Sequence, residues 1–406
     1  MTIATDQASG VAAEVDRTSR WMAVGHSNAP DSYQAGRDAT AAALQQRDAK
    51  LVIVFASVLH DLSRMLEGVN DVADGACVVG CTTQGEIAPG GPYDGSVVVA
   101  ALGGAGFAVS TAAEPNVSGR QREAGELLAA RAAADGDDPE HPHRVLILLT
   151  DGLTRDQEMI MRGAYSVLGA SVPFFGGAAA DAWRMQQTFQ FHGRDVLSGA
   201  AVGAYLRSTS RLSISVGHGW SKVGEAMIVT AATRGRVDEL DHGPALDAYL
   251  QRLGAPADVY TDEAAFREFA LCRPVGVQRR SGEEVVNFST EVRMEDRSLG
   301  GGISIPQGSV VWPMTGTRDA ILAAVTRTCK DAVARLGGCA PIGYLTFSCA
   351  ALRAVVGDDG IADEGARLTD HAQGLPYAGF YTYGEIARTR GIEGFHNQTL
   401  VVLALS

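Results

Sequence analysis

Runs of consecutive apolar residues alternate along this chain with amphipathic stretches. Residues 51–56 and 145–149 are continuous apolar runs, the pattern of strands that are buried on both faces. The stretches between such runs carry apolar residues at helical spacing, and residues 32–45 are rich in Ala, a strong helix former. The alternation predicts an α/β protein in which helices flank mixed sheets.

The same order of elements, β-α-β-α-β-β, can be followed through three units. Strands are predicted at residues 21–25, 51–56, 77–79 and 96–102 in the first unit, at 107–110, 145–149 and 199–206 in the second, and at 309–312, 342–347 and 399–405 in the third. Helices are predicted at residues 32–45, at the helically spaced Leu59, Leu62, Met65 and Leu66, and at 118–134, 154–168 and 319–336.

A nine-residue pattern, G-x-x-T-x-G-E-I-A, occurs at residues 80–88 and again at 379–387, with six of the nine positions identical. Each copy lies between two strand-like runs. Because the copies are about 300 residues apart, the repeat indicates duplication. Residues 173–181 lie at the corresponding place in the second unit but lack the Thr and the Glu.

The stretch from 207 to about 305 does not fit the repeat, although residues 212–216 alternate as a half-buried strand does. We place the main boundary near residue 240. The predicted organisation is a flexible polar N-terminus at 1–19, an N-terminal half at 20–239 and a C-terminal half at 240–406.

Composition narrows the class of protein. The 406 residues are 46% hydrophobic and 20% charged, as in ordinary globular proteins. A net charge of −13 disfavours binding to nucleic acid or to anionic lipid. No stretch reaches eighteen apolar residues, and the chain start lacks the features of a signal peptide. We therefore expect a cytoplasmic protein whose six Cys are reduced.

Several of these segments resemble FIST-domain proteins, a bacterial sensory family with an N-terminal and a C-terminal FIST part. The most specific match is residues 377–387 followed by 395–403, and residues 80–88 and 347–353 are also similar. The resemblance implies a sensor of a small ligand, such as an amino acid or a related metabolite. It also implies a histidine kinase or a cyclic-dinucleotide enzyme as a separate output partner, because this chain carries no recognisable output domain.

The candidate ligand site follows from the two repeated loops. Loops that leave buried strands of α/β sheets are where small ligands usually bind, and Thr and Glu offer a hydroxyl and an anionic acceptor to an amine or amide. The alternative is that these side chains hydrogen-bond their own loop. The candidate ligand-binding residues are Cys81, Thr82, Thr83, Glu86, Asp181, Cys349, Arg353, Tyr381, Thr382 and Glu385.

Three of these candidates have their own alternatives. Arg353 could hold a ligand carboxylate with two hydrogen bonds or take part in an ion pair. Cys81 and Cys349 both follow apolar strands and could line a pocket or be buried, inert thiols.

Haem is a candidate cofactor, because some members of the family resemble haem-binding nitric-oxide sensors. Haem iron needs a proximal ligand beside an apolar slot, and His218 and His396 have aromatic neighbours in sequence. The alternative for both is a hydrogen-bonded structural histidine.

An enzyme acting on a small amide or carboxylate is a third hypothesis, with Asp151, Asp181 or the two Glu as acid or base. No nucleophile motif or phosphate-binding loop follows a strand, so an enzyme is less favoured than a sensor.

Overall fold

The computed structural model describes residues 20–45, 47–136, 138–233, 235–278, 284–287, 291–301, 304–389, 391 and 394–406. The N-terminus predicted to be flexible, residues 1–19, lies outside these residues. Helices and strands alternate, and the sheets contain both parallel and antiparallel pairs. The predicted α/β class with mixed sheets is confirmed.

The first unit combines four core strands, two helices and a hairpin. Its elements are β1 (Trp21–Ser27), α1 (Ser32–Leu44), β2 (Ala49–Ser57), α2 (Leu62–Ala73), β3 (Cys77–Thr83), β4 (Glu86–Ala88), β5 (Gly91–Tyr93) and β6 (Val97–Gly103). The core strands lie in the order β1-β6-β2-β3, and only β2 and β3 are parallel.

One residue of the first unit was predicted wrongly. Leu59 was expected on α2, but it lies in the loop before it and is 65% exposed. The helix begins after Asp61, because the carboxylate of Asp61 accepts the Arg64 N–H and caps the helix there.

The second unit has the same arrangement. Its elements are β7 (Phe107–Glu114), α3 (Gln121–Ala132), β8 (His143–Thr150), α4 (Gln157–Leu168), β9 (Phe174–Ala178), β10 (Phe189–His192), β11 (Asp195–Ser198) and β12 (Ala201–Ser208). Its core strands lie in the order β7-β12-β8-β9, and only β8 and β9 are parallel.

The third unit is interrupted after its first strand, β13 (Leu212–Gly217). The inserted segment contains β14 (Ser221–Lys222), β15 (Met227–Thr233), β16 (Arg236–Leu240), β17 (Gly243–Pro244), α5 (Ala245–Arg252), a short 3-10 helix (Ala257–Tyr260), α6 (Glu263–Leu271), β18 (Val275–Gln278), β19 (Glu284–Asn287), β20 (Glu291–Arg293), β21 (Ser298–Gly300) and β22 (Val310–Thr315). These nine strands form a sheet of their own, on which α5 and α6 pack.

The rest of the third unit follows the insertion. It comprises α7 (Arg318–Ala334), β23 (Gly343–Cys349), α8 (Ala350–Ala372), β24 (Tyr377–Thr382), β25 (Glu385–Arg388), β26 (Phe395–His396) and β27 (Leu400–Leu405). The core strands lie in the order β13-β27-β23-β24, with β23 and β24 parallel. The sequence pattern did not predict α8, whose helical geometry is broken at Gly357 by a φ of 71°.

The first strand of the third unit was also predicted wrongly. Residues 309–312 were expected to form it, but β22 belongs to the inserted sheet, where it pairs with β15 and β18. The strand that pairs with β27 is β13, which the sequence placed outside the repeat. The chain pattern could not show this, because about 100 residues separate β13 from the helix that follows it in the fold.

The three units exchange their hairpins in a cycle. The hairpin of the first unit, β4–β5, pairs with β24 of the third unit. The hairpin of the second unit, β10–β11, pairs with β3 of the first. The hairpin of the third unit, β25–β26, pairs with β9 of the second. Each unit therefore completes the sheet of a neighbour. The loops that connect β3, β9 and β24 to the hairpins of their own units lie at the borders between units.

The inner faces of the three sheets share one apolar core. Phe347 of the third unit lies at its centre, with ring centroids 5.4 Å from Phe55 of the first unit and 4.6 Å from Phe175 of the second. The helices cover the outer faces. Within the described ranges, no helix is both long enough and apolar enough to cross a membrane.

Candidate functional site

A cavity of about 420 Å³ lies at the border between the second and third units, beneath the inserted segment. This volume falls within the range of about 300–1,000 Å³ that is usual for small-molecule sites. The carboxyl ends of β8, β23 and β24 all open into it. Its lining includes Arg155, Gln157, Trp183, Arg236, Glu291, Cys349, Ala350, Ala351, Thr382, Tyr383 and Asn397.

Larger depressions occur elsewhere on the described surface. A groove of about 650 Å³ beside the inserted sheet is lined almost entirely by charged side chains, and another of about 1020 Å³ lies between α7 and α8. Both are more open to solvent than the cavity at the border. The cavity is the better candidate because it is more enclosed and because its lining includes buried polar side chains that lack partners among the described residues.

Two helices begin at the cavity wall. Ala350 and Ala351 form the first turn of α8, and Gln157 is the first residue of α4. Within the described part of the chain, no conventional side-chain hydrogen bond caps either helix. The first-turn N–H groups of a helix lack partners inside the helix and carry a partial positive charge. The two helix ends therefore favour an acceptor or an anion in the cavity.

Two amide side chains in the cavity lining carry buried acceptor oxygens. Gln157 and Asn397 are each only 5% exposed, and neither Gln157 Oε1 nor Asn397 Oδ1 has a hydrogen-bond partner among the described residues. The amide nitrogen of Gln157 is held by carbonyl oxygens, at 3.0 Å for Thr154. A buried acceptor without a donor is costly, so the cavity is suited to a molecule that brings N–H or O–H groups.

A wall of the cavity is built from aromatic and acidic groups of both halves. The rings of Trp183 and Tyr383 lie with centroids 5.4 Å apart. The Tyr383 hydroxyl donates to Asp181 Oδ1 at 2.8 Å and accepts the Trp183 N–H at 2.8 Å. Asp181 also accepts backbone N–H groups from residues 185–187, and although burial opposes ionisation these bonds hold the pKa of Asp181 below its ordinary value. Asp181 does not itself line the cavity but orients Tyr383, which does.

Cys349 and Thr382 are the two predicted site residues that line the cavity. Burial raises the pKa of the Cys349 thiol well above its ordinary value, so it is a thiol and not a thiolate at neutral pH. Thr382 Oγ1 donates to the Ala178 carbonyl oxygen at 2.7 Å. Glu385 lies behind Cys349, and burial raises the pKa of Glu385 to about 8. Its Oε2 accepts the Thr399 N–H at 3.0 Å.

The first copy of the repeated loop lies away from this cavity. Glu86 accepts the Thr83 hydroxyl with one oxygen and the Ser96 N–H with the other, at 3.1 Å. Thr82 Oγ1 accepts the Phe189 N–H at 3.0 Å. Cys81 is fully buried, and burial raises its pKa well above the ordinary value. These contacts fix the loop, and a ligand role for the four predicted residues here stays a prediction.

The two copies of the repeated loop are in contact through backbone hydrogen bonds. Gln84 N–H donates to the Tyr381 carbonyl at 3.0 Å, and the Tyr381 N–H donates to Gly85 at 2.9 Å. The Tyr381 hydroxyl lies 3.3 Å from Glu364 Oε2, and burial raises the pKa of Glu364 to about 6. These contacts place the two copies of the loop side by side at the border between the first and third units.

Arg353 forms the ion pair that was its alternative role. Its guanidinium binds both oxygens of Asp94, at 2.6 and 2.8 Å, and donates to the Gln84 carbonyl at 2.8 Å. The pKa of Arg353 is raised chiefly by this bond to Asp94. Arg353 therefore joins α8 of the third unit to the loop of the first unit.

The middle unit keeps the position of the Glu, which corrects the sequence alignment. Gln190 on β10 pairs with Cys81 of β3, as Glu86 on β4 pairs with Phe380 of β24 and Glu385 on β25 pairs with Gly177 of β9. The side-chain oxygen of Gln190, Oε1, accepts the Ala200 N–H at 3.1 Å. The sequence missed this match because a longer loop precedes Gln190.

Asp151, a candidate acid or base of the enzyme hypothesis, is held by backbone hydrogen bonds. Its carboxylate accepts N–H groups from Leu153 at 2.8 Å, Thr154 at 2.9 Å and Gly199 at 3.0 Å. The residue before α4 is Asp156, so Asp151 holds the preceding loop and does not cap the helix. These bonds occupy both oxygens of Asp151.

The two histidines proposed as haem ligands are engaged in the protein. His218 Nδ1 accepts the Trp220 N–H at 3.2 Å, and this histidine lines a cavity of about 10 Å³, which has room for roughly one water. His396 is buried with its Nε2 3.2 Å from the Ala387 carbonyl. Haem as a cofactor of this protein stays a prediction. Among the described residues, no group of three His, Cys, Asp or Glu forms a metal site.

Comparison with known proteins identifies the family. The FIST N domain model matches residues 50–243, and the FIST C domain model matches residues 245–388. The chain belongs to the FIST family, whose domains are small-ligand sensory domains. The resemblance that the sequence motifs indicated is thereby confirmed.

Individual relatives add the extent of the similarity. Uncharacterised proteins from two strains of Mycobacterium tuberculosis are each 25% identical to this chain, over 93% of this chain and 97% of the relative. A chorismatase crystal structure is 12% identical and covers 96% of this chain and 99% of its own, with a TM-score of 0.37. A similarity this low carries no argument about function.

Sequence reasoning missed most of the cavity lining. Arg155, Trp183, Arg236, Glu291 and Asn397 come from five separate segments, and none lies in a motif with a chemical meaning of its own. One signal was present, since Asn397 lies within residues 395–403, which belong to the most specific family match.

Proposed function

We propose that this protein is a sensor that binds a small polar ligand, an amino acid or a related metabolite, in the cavity between its two halves. Its output would pass to a separate protein, such as a histidine kinase or a cyclic-dinucleotide enzyme. Membership of a family of small-ligand sensory domains supports the general role. The nature of the ligand is inferred from the cavity, and that of the partner from the resemblance to the family.

One observation carries the choice of site. Among the described residues, Gln157 Oε1 and Asn397 Oδ1 are buried acceptors without partners, and both side chains belong to the lining of a cavity that also receives the first turns of two helices. Acceptor oxygens together with helix N-termini match a molecule with both donor and acceptor groups, as an amino acid has. The same cavity offers Trp183 and Tyr383 for apolar contact.

The position of the cavity provides a route from binding to signalling. Asn397 lines the cavity, while its backbone N–H donates to the Val286 carbonyl of the inserted segment at 3.2 Å. Gln398, the next residue, donates to the Leu271 carbonyl at 2.8 Å. A ligand that binds one arrangement of these segments better than another shifts the population toward it.

A thermal-shift and calorimetric screen of the twenty common L-amino acids tests the proposal. We expect at least one of them to raise the melting temperature of the wild type and to bind with a stoichiometry of one. The Asn397→Leu variant should lose that binding, because an apolar side chain replaces the acceptor. Trp183 lines the cavity, so its fluorescence should also respond in the wild type.

Ser198→Ala is the matched control. Ser198 occupies the equivalent place in the second unit, two residues before Ala200 as Asn397 is two residues before Thr399, and it does not line the cavity. Binding that is equally strong in Asn397→Leu and in Ser198→Ala would remove the cavity as the site. A screen without a single binder would reject the amino-acid ligand.

A further inference from the structure

Three charged side chains close one side of the cavity. Glu291 on β20 accepts from Arg155, at 3.0 and 3.3 Å, and lies 3.7 Å from Arg236 Nη1. Arg155 belongs to the loop before α4 in the second unit, whereas Glu291 and Arg236 belong to the inserted segment. All three line both the cavity and the adjacent charged groove. The ion pair between Arg155 and Glu291 therefore joins the inserted segment to the second unit at the cavity mouth.

Arg236 is the fixed member of this group. Its side chain is 13% exposed, and Ser298 holds it with two hydrogen bonds of 2.9 Å, one through Nε and one through Nη2. Gly300 makes room for it, since a Cβ on Gly300 would lie 2.6 Å from Arg236 Nη1. Nη1 is thus left pointing toward Glu291. Burial lowers the pKa of Arg236, and an anion close to Nη1 opposes that effect.

Glu291 is the replaceable member. Its side chain is 44% exposed and that of Arg155 is 76% exposed. Exposed ion pairs are screened by water and contribute little to stability. Another carboxylate could therefore take the place of Glu291 without a large loss.

The other charged groups near this point are largely paired with each other. In the adjacent groove Arg267 binds Glu263, and Arg293 lies 3.8 Å from Asp296. Asp156 also lines the cavity, and its exposed side chain lies at the start of α4. The two arginines and the two helix N-termini are therefore the main positive groups that face the cavity among the described residues.

We propose that the cavity takes a ligand with a carboxylate group, and that this carboxylate replaces Glu291 as the partner of Arg236 and Arg155. Binding then opens the ion pair that joins the inserted segment to the second unit. The donor groups of the same ligand bind Asn397 Oδ1 and Gln157 Oε1. This inference rests on the proposed function, because it specifies the ligand chemistry and the structural response of the same site.

The structural response to the ligand depends on which hydrogen bonds of the inserted segment remain. The hydrogen bonds from Asn397 to Val286 and from Gln398 to Leu271 connect the inserted segment to the third unit and involve none of the three charged residues. The inserted segment remains held at that junction while its ion pair with the second unit, at Glu291, is released. The strand at the edge of the inserted sheet, β20, is then the element that moves.

The experiment compares the twenty common L-amino acids with their carboxamides, which lack the carboxylate. In the wild type, the carboxamide of any amino acid that binds should bind about tenfold more weakly or worse, because it loses charge-assisted hydrogen bonds. The Glu291→Gln variant should bind the amino acid about threefold to tenfold more tightly, because it no longer competes for the arginines. Arg236→Gln and Arg155→Gln should both weaken binding, and the exposed Arg155 provides a variant that keeps the fold.

Hydrogen exchange gives a second readout. Backbone amides of residues 291–300 should exchange faster when the amino acid is bound and faster in unliganded Glu291→Gln, whereas residues 343–349 should not change. Equal affinity for acid and carboxamide, with Glu291→Gln and Arg155→Gln unchanged, would overturn this inference but leave the proposed function standing if Asn397→Leu still abolishes binding. A screen in which no amino acid and no carboxamide binds would overturn both.

Discussion

Glu86 and Gln190 occupy equivalent positions in two of the three units. The side chain of each accepts the N–H of the residue before the last strand of its unit. The distance is 3.1 Å from Ser96 to Glu86 and 3.1 Å from Ala200 to Gln190. Glu385 holds the third such place and accepts the Thr399 N–H at 3.0 Å. Since a neutral amide serves in the second unit, the common requirement is an acceptor and not a negative charge.

Replacement of Glu86 by Gln should therefore be tolerated, whereas replacement by Ala should not. Glu86→Ala leaves the buried Ser96 N–H and hydroxyl without their acceptor, which costs about 1–3 kcal/mol of unfolding free energy. Urea denaturation of the two variants measures the difference. Equal losses for Gln and Ala would mean that the carboxylate charge itself is needed.

The two buried Glu should make the stability depend on pH. Burial raises the pKa of Glu86 to about 7 and that of Glu385 to about 8, from an ordinary value of 4.5. The folded protein therefore holds these protons to a higher pH than the unfolded chain. The resulting stabilisation is complete below about pH 4.5 and is lost as the pH rises through 7 and 8.

The matched comparison is the double variant Glu86→Gln/Glu385→Gln. Urea denaturation at intervals between pH 5 and pH 9 should give a steeper fall of the unfolding free energy with pH for the wild type than for this variant. Other buried acids such as Glu364 contribute to both proteins and cancel in the difference. Parallel curves would show that neither Glu titrates in this range.

Arg353 should stabilise the contact between the third and first units. Its double-mutant cycle with Asp94, using Arg353→Met and Asp94→Ala, should give a coupling of about 0.5–1 kcal/mol, because the Asp94 side chain is 68% exposed. Arg353→Lys should not restore the coupling, since a Lys cannot bind both carboxylate oxygens in the same way. The control is Arg64→Met, which breaks the exposed pair with Glu67 inside α2 and should change stability by no more than about 0.5 kcal/mol. A coupling near zero would reduce Arg353 to a packing role.

Three glycines at equivalent positions should not tolerate Ala. A Cβ on Gly80, Gly176 or Gly379 would overlap the carbonyl oxygen of the residue opposite it on the parallel strand, as with Thr346 opposite Gly379. Gly379→Ala should therefore lower the melting temperature strongly or prevent folding. Gly243→Ala is the control, because its Cβ would meet nothing closer than 3.7 Å. Similar melting temperatures for both variants would contradict the close approach. Soluble yield and thermal denaturation provide the measurement.

The sequence by itself determined the local elements and the existence of the repeat. Continuous apolar runs such as 51–56 and 145–149 became central strands, because residues buried on both faces of a sheet must all be apolar. The pattern shared by residues 80–88 and 379–387 indicated both the duplication and the family. These features depend on neighbouring residues, and a chain pattern records them directly.

Only the tertiary structure decided which strands pair and which side chains share the cavity. Gln190 matches Glu86 through its pairing with Cys81, and β13 joins β27 although about 190 residues separate them. Arg155, Glu291 and Asn397 meet at one cavity only because hairpins are exchanged and a segment is inserted. Local periodicity states which face of an element is buried, but not against which distant element, because that choice depends on the packing of the whole chain.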